Sequence, residues 1–491
     1  MYFLSEKPKY ILLEKVLAWS GYLLFILTTG VIGTLIILHY SGYSFSKSGV
    51  ITRTGFVTVT SSPVKANVFL DGKQLKGQTY MRLDIPVGAH DFVVRANGYQ
   101  EWTRNLTIEP SGVYWLDYIL LYPKNLTPYA LQNLPNYQQV RPLRGQDSLM
   151  GYNWDSTSLD ISLIDLKNRS NNNITPNHFS EADLSLGFGD KITSLELMKI
   201  DRTEKSMLFK INTESGSNLL FYDTEKPNKI LNISKKYSIN PDKVDFTYDD
   251  YHQIHYIDTE NNLRILNLET DSISKPLISV ASVSDFIVKN QDKVYYINNQ
   301  NDLFIKKYST DESELISRLA TNDSPHKINL VSYNSTDYLI DHASSVTNPN
   351  NSTLNIWAID GNKISNKFST ELDGLINHVV ASKDANSIFA ITNNGDLASF
   401  VFKDNVSGQF KIKDFKSDVD WASSFQISYL AADGFHLVDF TGDNDKLITP
   451  GSDQSSYIVS KDLKNIYYTE KSKDINGLDN LEINSIDMLI K

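Results

Sequence analysis

The 491-residue chain contains no cysteine. Disulfide bonds, cysteine-ligated zinc and thiol catalysis are therefore excluded. Positive charge is also in short supply, since 47 Lys and Arg residues face 58 Asp and Glu residues, for a net charge of -11. Because nucleic-acid binding is driven by basic patches, this balance predicts no nucleic-acid partner.

One stretch lacks charge altogether. The 23 residues from Val16 to Leu38 contain no Asp, Glu, Lys or Arg. As a helix they extend roughly 35 Å at about 1.5 Å per residue, enough to cross a bilayer core. We predict a transmembrane signal anchor over 16–39, with a cleaved signal peptide and a buried core helix as the alternatives.

Basic residues near this segment indicate its orientation. Three precede it and two follow it within about 15 residues, a distribution that favours a cytoplasmic N-terminus; they are Lys7, Lys9, Lys15, Lys47 and Arg53. The sequence then predicts a short cytoplasmic tail over 1–15 and a juxtamembrane linker over 40–54. Everything after the linker is expected outside the cytoplasm.

Catalytic and cofactor signatures are missing as well. The sequence has no HExxH, GxSxG, P-loop or GxGxxG motif, so we predict no enzymatic activity, no catalytic residues and no cofactor. His252 and His255, beside Asp249 and Asp250, form a tempting metal pair, but residues i and i+3 of a strand point to opposite faces. The stretch 443–445 resembles a fragment of a calcium loop without its Gly and terminal Glu, and a hairpin turn is the better interpretation. No metal site is predicted, and the binding residues stay unknown.

What the chain has in abundance is β signal. Residues 55–122 alternate short β-branched and aromatic runs with turn residues, which predicts six or seven strands in a small β-sandwich or barrel. Tyr99, Trp102 and Trp115 are its expected core aromatics. His90 is expected to make hydrogen bonds at the start of a strand.

The segment SPVKANVFLDGKQLKGQTYMRLDIPVGAHDFVVRANGYQEW resembles the PEGA domain. The shared motif positions are Pro63, Ala66, Asp71, Gly72, Gly77, Thr79, Pro86, Gly88, His90, Gly98 and Tyr99. The sequence departs from the family where Val64-Lys65 replaces Glu-Gly and where Tyr80 replaces Pro. The resemblance implies an extracytoplasmic β-sandwich of bacterial and archaeal envelope proteins, without catalysis.

Residues 141–491, after a Pro-containing linker predicted over 123–140, repeat a strand–turn–strand pattern. A Leu opens the strand after the turn eight times, at intervals of 40 to 60 residues: Leu159, Leu219, Leu263, Leu303, Leu354, Leu397, Leu437 and Leu481. Periods near 40 to 45 residues are typical of β-propellers. The fold is therefore predicted as mainly β, with a propeller of seven or eight blades and eight favoured. Asn-rich loops at 168–173 and 344–353 account for the two longest intervals.

Two further lines, SKDANSIFAITNNGDLASF and SKDLKNIYYTEK, resemble the Ser-x-Asp-Gly repeat of TolB-like propellers, with Ala385 and Leu463 in place of Gly. In that repeat, Ser and Asp hold the turn between the two inner strands. The resemblance concerns the fold and implies no particular function.

Together these features predict a single-pass protein of the bacterial cytoplasmic membrane with extracytoplasmic C-terminal domains. Its expected role is non-catalytic binding or scaffolding in the cell envelope, with an envelope protein or glycan as partner. Two alternatives stay open. One is a glycan hydrolase or lyase that uses the propeller channel, and the other is an envelope sensor or assembly factor that acts through a membrane partner.

Overall fold

The computed structural model describes residues 8–40, 43–45, 51–134, 137–143, 147–166, 176–187, 189–241, 243–247, 250–278, 283–290, 292–310, 312–319, 324–361, 363–451, 454–473 and 479–490. The chain forms two compact units, Met1–Lys124 and Asn125–Lys491. Each unit has its own core, so each is described separately.

The first unit begins with one long helix, α1 (Pro8–Tyr40). Its segment Glu14–Leu38 is long and apolar enough to cross a membrane, and none of it is buried within the protein. The helix starts inside the predicted tail, since proline is well tolerated in the first helical turn. The hydroxyls of Thr28, Thr29 and Thr34 donate to carbonyls four residues earlier, so these polar groups are satisfied within the helix.

Among the described residues of the first unit, eight strands follow: β1 (Tyr43–Phe45), β2 (Ile51–Ser62), β3 (Asn67–Leu70), β4 (Lys73–Gln78), β5 (Met81–Pro86), β6 (Gly88–Arg95), β7 (Trp102–Ile108) and β8 (Val113–Leu120). One sheet places β2 between β5 and β8, with β1 paired to the start of β2; the other has the order β4-β3-β6-β7. β1 and the first residues of β2 lie in 40–54, which was predicted as linker, so that prediction is wrong for these residues.

The two sheets share a core, as a sandwich requires. Val57 and Val59 of β2 and Val68 of β3 are fully buried. The rings of Trp102 in β7 and Tyr118 in β8 meet edge to face across the sheets, with centroids 6.1 Å apart.

The prediction that Trp115 belongs to this core is wrong, because 42% of its surface is exposed. Side chains alternate along a strand, and Leu116 and Tyr118 take the inward positions of β8.

The Asp71-Gly72 pair makes the tight turn between β3 and β4. Both residues have positive φ, 49° and 77°. A two-residue turn of this kind matches the twist of the flanking strands and favours Asp-Gly.

The second unit opens with β9 (Pro128–Leu134). Blade 1 contains β10 (Gln139–Leu143), β11 (Ser148–Trp154), β12 (Ser158–Asp165) and β13 (Asn177–Ser180). Blade 2 contains β14 (Ile192–Ile200), β15 (Ser206–Thr213), β16 (Gly216–Asp223) and β17 (Ile230–Asn232), followed by α2 (Ile233–Tyr237). Blade 3 contains β18 (Val244–Thr247), β19 (Asp250–Ile257), β20 (Leu263–Asn267) and β21 (Ser272–Ile273). Blade 4 contains β22 (Val283–Asn290), β23 (Lys293–Asn298), β24 (Asp302–Lys307) and β25 (Glu312–Arg318).

The second half repeats the plan. Blade 5 contains β26 (Lys327–Tyr333), β27 (Thr336–Ser344), β28 (Ser352–Asp360) and β29 (Lys363–Leu372). Blade 6 contains β30 (Ile376–Ala381), β31 (Ser387–Thr392), β32 (Asp396–Val401) and β33 (Val406–Lys411). Blade 7 contains β34 (Phe415–Trp421), β35 (Gln426–Ala431), β36 (Gly434–Asp439) and β37 (Lys446–Pro450). Blade 8 contains β38 (Gln454–Val459), β39 (Asn465–Lys473), β40 (Asp479–Asp487) and, from the other end of the unit, β9.

Eight four-stranded antiparallel sheets are thus present among the described residues of the second unit. First strands of successive blades contact one another, as β14 does β18 and β18 does β22, and β38 of blade 8 contacts β10 of blade 1. The first strands are therefore innermost, and the circle closes. This arrangement confirms the predicted β-propeller and its eight blades.

The ring of blades is closed by a strand that was not predicted from the sequence. β9 pairs antiparallel with β40 through residues 128–134, so this part of the predicted linker at 123–140 is a blade strand instead. Blade 1 then begins at Gln139, also inside the predicted linker. Leu134, Val140, Ile458 and Leu481 share one buried cluster across the closure.

The eight repeated leucines all lie in the third strand of their blades, and each is at most 2% exposed. Leu159, Leu263 and Leu303 each belong to a cluster that joins their blade to the next one. The leucines therefore follow the turn between the second and third strands of their blades.

The turns before these leucines have a simple cause. Asp258 Oδ1 accepts from the N–H groups of Glu260 and Asn262, and Asn298 Oδ1 does the same one blade later. Side chains of this type cap the turn locally. The longest described turn, in blade 5, is closed by the bond from Ser345 N–H to the Asn351 carbonyl, 2.8 Å. The loop at 168–173 lies outside the described residues.

Candidate functional site

The two histidines of the proposed metal pair separate on the strand β19. His255 is fully buried, with Nε2 2.8 Å from the Tyr308 hydroxyl and Nδ1 3.2 Å from the Thr247 hydroxyl. Burial lowers the pKa of His255 to about 4. His252 instead faces Glu269, with Nδ1 3.4 Å from Oε1. Asp249 lies outside the described residues, among which no group of three His, Asp or Glu side chains is arranged to hold a metal.

The stretch 443–445 lies between β36 and β37, as the hairpin interpretation predicts. Asn444 has a positive φ of 55° and donates to Asp439 Oδ2 over 2.9 Å. Asp443 accepts from the Thr441 hydroxyl at 2.8 Å. These contacts use the side chains to shape the turn.

Asp445 completes a network around His436 in blade 7. The His436 ring is 3.0 Å from Asp445 through Nδ1 and 3.0 Å from Asp433 through Nε2. The Tyr429 ring stacks on His436, and its hydroxyl donates to Asp445 over 2.6 Å. Burial opposes a charge on His436, but hydrogen bonds to the two carboxylates prevail and raise its pKa. Sequence inspection missed this cluster because its four members come from two strands and two connections of the blade.

His90 behaves as predicted for a residue that makes hydrogen bonds at a strand start. Its Nδ1 is 2.8 Å from Asp71 and its Nε2 is 2.9 Å from the Pro86 carbonyl. The hydrogen bond from His90 lowers the pKa of Asp71. Both ring nitrogens are thus used to join two turns of the first unit.

Buried carboxylates lie on the innermost strands of the propeller. Asp245 in β18 is 6% exposed and Asp285 in β22 is 4% exposed. Each caps the N–H of the aromatic residue that follows it, and each also accepts from a peptide N–H of the next blade. A propeller hydrolase would need carboxylates of this kind free to transfer protons.

These carboxylates face lysines from the preceding blade. Lys199 Nζ of blade 2 lies 2.7 Å from Asp245, and Lys243 of blade 3 contacts Asp285. Burial lowers the pKa of Lys243 to about 7, although Asp245 opposes that shift. Ion pairs and hydrogen bonds from peptide N–H groups therefore join blades 2 to 5. Both carboxylates, Asp245 and Asp285, are engaged in these contacts.

A sequence signal for these connectors exists. Each buried Asp precedes an aromatic residue, and the pairs at 245, 285 and 420 lie 18, 18 and 17 residues before Leu263, Leu303 and Leu437. In the third pair, Trp421 N–H donates to Asp420 while its indole donates to the Val380 carbonyl of blade 6. The repeat could have been read from the sequence as a second anchor.

The TolB-like lines occupy the predicted turns between first and second strands. Ser382 donates to Asp384 over 2.7 Å, and Ser460 donates to Asp462 over 2.8 Å. Ala385 and Leu463, at the Gly position of that repeat, have φ values of 58° and 57°. The turn thus keeps a left-handed residue even though the glycine is replaced.

An open cavity of about 470 Å³ lies where two connections of blade 6 meet. Asn393 and Asn394 come from the β31–β32 turn, and the other wall is the β33–β34 connection, 411–415. Asp373 links the two walls of the cavity, since it accepts hydrogen bonds from Lys411 Nζ at 2.8 Å and from Asn394 Nδ2 at 3.4 Å.

The turn that carries Asn393 and Asn394 depends on a glycine. Gly395 has a φ of 77°, and a Cβ there would lie 2.9 Å from both Phe415 Cβ and the Ile412 carbonyl oxygen. The lining combines two lysines, one aspartate, two side-chain amides, one isoleucine and one half-buried phenyl ring. Such a mixture suits binding, because an apolar surface with a few placed polar groups gives both affinity and orientation.

The PEGA domain family model matches residues 54–121, which confirms the resemblance seen in the sequence. No curated protein matches the chain. Solved structures of similar shape include the C-terminal WD40 domain of Sif2, with 13% identity and a TM-score of 0.45 over 74% of this chain and 99% of that one. The β-propeller domain of Myceliophteria thermophila Cps50 (Swd1) has 12% identity and a TM-score of 0.40 over 74% and 100%.

A third structure is PorZ, described as an essential bacterial surface component of the type-IX secretion system of Porphyromonas gingivalis. It has 11% identity and a TM-score of 0.38 over 72% of this chain and 45% of PorZ. At such identities the likeness concerns the fold alone. The assignment of the propeller rests on its own sheet topology.

Proposed function

We propose that this protein is held in a bacterial cytoplasmic membrane by α1 and displays a PEGA domain and a propeller outside the cytoplasm. There it serves as a non-catalytic binding or scaffold protein of the cell envelope. The helix supports the anchor, because an apolar segment of 25 residues, none of which is buried within the protein, is well suited to a lipid environment. The PEGA match over 54–121 supports an extracytoplasmic setting.

The state of the propeller acids supports a role without catalysis. Asp245 and Asp285, the acids of the innermost strands in blades 3 and 4, are engaged by lysines and peptide N–H groups. A general acid or base must be able to exchange its proton with a substrate. Carboxylates held in this way instead stabilise the disc on which binding loops are displayed.

The single observation that carries the proposal of binding is the cavity of blade 6. Its polar and aromatic lining is open to solvent and includes two lysines, Lys411 and Lys413, and one acid, Asp414. An envelope glycan or an acidic protein segment would complement this lining, through stacking on Phe415 and hydrogen bonds to the amides and ammonium groups.

The test uses the fragment 51–491 immobilised against isolated envelope sacculi and detergent-solubilised envelope proteins. We expect retention that is weakened by the double change Lys411→Glu and Lys413→Glu. The matched control is Lys229→Glu with Lys275→Glu, two exposed lysines elsewhere on the propeller. Equal retention by all three proteins would contradict the assignment of the cavity, and release of cleaved glycan would favour a hydrolase or lyase.

A further inference from the structure

One end of the PEGA domain is tied closely to the end of α1. The helix ends at Tyr40, and Tyr43 in β1 pairs with Arg53 in β2. Three extended residues reach about 11 Å at most, and Cα atoms of paired antiparallel residues lie about 5 Å apart. Arg53 therefore lies within about 16 Å of the helix end.

The start of β2 is thus the end of the domain nearest to α1. The opposite end, at Ser62, lies about 30 Å further along β2, at roughly 3.3 Å per residue. Val64 follows directly, with 67% of its surface exposed. We call the end of the domain at Arg53 the near end and the end at Ser62 the far end.

Exposed apolar side chains gather at the near end. Val87 N–H donates to the Arg53 carbonyl at 3.0 Å, and the Val87 side chain is 42% exposed. Val113 pairs with Phe56 and is 56% exposed. Trp115, also 42% exposed, pairs with Thr58 near the middle of β2 and therefore lies outside the near end.

The polar groups nearby match a bilayer interface. The Arg53 guanidinium lies 5.3 Å from the centre of the Tyr43 ring and donates to its hydroxyl over 3.0 Å. Aromatic rings and snorkelling basic side chains are typical of the headgroup level. Asp84 and Glu109 at the same end are exposed and acidic, so electrostatic attraction to anionic lipid would not hold this end at the membrane. Insertion of apolar side chains would have to supply the contact.

We propose that the near end, defined by Val87 and Val113, rests in the headgroup layer of the membrane that α1 crosses. The PEGA domain then contacts the lipid surface directly, in addition to its covalent link to α1. This inference rests on the proposed membrane anchor. It adds a second contact with the same bilayer.

The absence of cysteine makes the test direct. Single-cysteine variants of the full chain, Val87→Cys and Val113→Cys, are labelled with a nitroxide and reconstituted in vesicles of phosphatidylethanolamine and phosphatidylglycerol. The ratio of oxygen to nickel-chelate accessibility reports depth. Val64→Cys serves as the far-end control, and Ile32→Cys, half exposed on α1, as the lipid control.

We expect ratios at 87 and 113 well above that at 64 and below that at 32, unchanged by added salt. Ratios at 87 and 113 equal to that at 64, with a lipid-like value at 32, would contradict the proposed contact of the PEGA domain with lipid while leaving the membrane anchor intact. A water-like value at 32 would overturn the anchor itself. Because both positions are exposed, the substitutions should not disturb folding, and circular dichroism of each variant checks this point.

Discussion

Asp285 joins three neighbouring blades through one side chain. It contacts Lys243 of blade 3, caps the Phe286 N–H of its own strand at 2.9 Å and accepts from Ile328 N–H of blade 5 at 2.8 Å. Asp245 repeats the arrangement one blade earlier. A side chain with these partners is expected to contribute to stability only while its partners remain in place.

Replacement of Asp285 by Ala should therefore be costly. It leaves a partly buried Lys243 and the Ile328 N–H without their acceptor, and we expect a loss of about 3 kcal/mol in the free energy of unfolding. Asp285→Asn keeps an acceptor oxygen and should lose less. Urea denaturation of the fragment 51–491 measures both, and equal stability of the Ala variant would show that the connector is not needed.

His436 predicts a specific dependence on pH. Its pKa in the folded state is raised by Asp445 and Asp433, above the ordinary value near about 6.5. The network stabilises the protein fully below that ordinary pKa, and its contribution disappears as pH rises through the raised value. The melting temperature of His436→Gln should thus differ most from the parent near pH 6 and approach it at alkaline pH. A difference that grows with pH would contradict the assignment.

At this scale the sequence was only partly informative. The pair His252 and His255 was correctly separated by strand alternation. The cluster around His436 could not be predicted, because its carboxylates approach only when two turns fold back over the same sheet. Trp115 was misplaced since hydrophobicity does not say which face of a strand is covered.

Among the elements, the third strand of each blade carries one of the eight repeated leucines. Leu263 is fully buried in a cluster that contains Phe286 and Val294 of the next blade. Leu263→Asp would bury an unpaired charge between blades, and we expect a loss of more than about 4 kcal/mol. Soluble expression of 51–491 should fail.

The control lies in the loop of blade 5. Asn350 is exposed there and takes part through its backbone N–H, so Asn350→Asp should change stability by less than about 0.5 kcal/mol. If the Leu263 variant expresses and melts like this control, the position is not at a blade interface.

Ring closure by β9 can be tested by truncation. A fragment that begins at residue 137 lacks the strand that covers β40 and loses Leu134 from the cluster at the closure. We expect it to aggregate, because an uncovered edge strand recruits other chains. A fragment that begins at 125 should remain monomeric in size-exclusion chromatography; equal behaviour of the two would show that closure is dispensable.

The leucine period was readable because every blade needs an apolar residue at the same step. β9 was not, since Pro128 and Pro135 indicated a linker. Proline is tolerated at the first residue of a strand and at a sheet edge, and Pro128 occupies such a place opposite Ile486. Local sequence therefore described the blades well, while the closure depended on a pairing between the two ends of the second unit.

For the whole molecule, the account combines an apolar helix, a PEGA domain and an eight-bladed propeller in one chain. The apolar helix and the acidic remainder of the chain favour different environments, lipid and water. The whole chain carries a net charge of -11, which favours solubility in water, whereas an exposed apolar helix such as α1 favours lipid. The expected consequence is a protein that sediments with membranes at full length and becomes soluble when residues 1–50 are removed.

The central claim is that the propeller lies outside the cytoplasm on a chain anchored by α1. The most direct measurement places one cysteine at Asn350, in the exposed loop of blade 5, and treats intact spheroplasts with a membrane-impermeant maleimide. The account predicts full labelling of a membrane-bound chain before lysis. Labelling that appears only after lysis, or a labelled chain that no longer sediments with membranes, would contradict it.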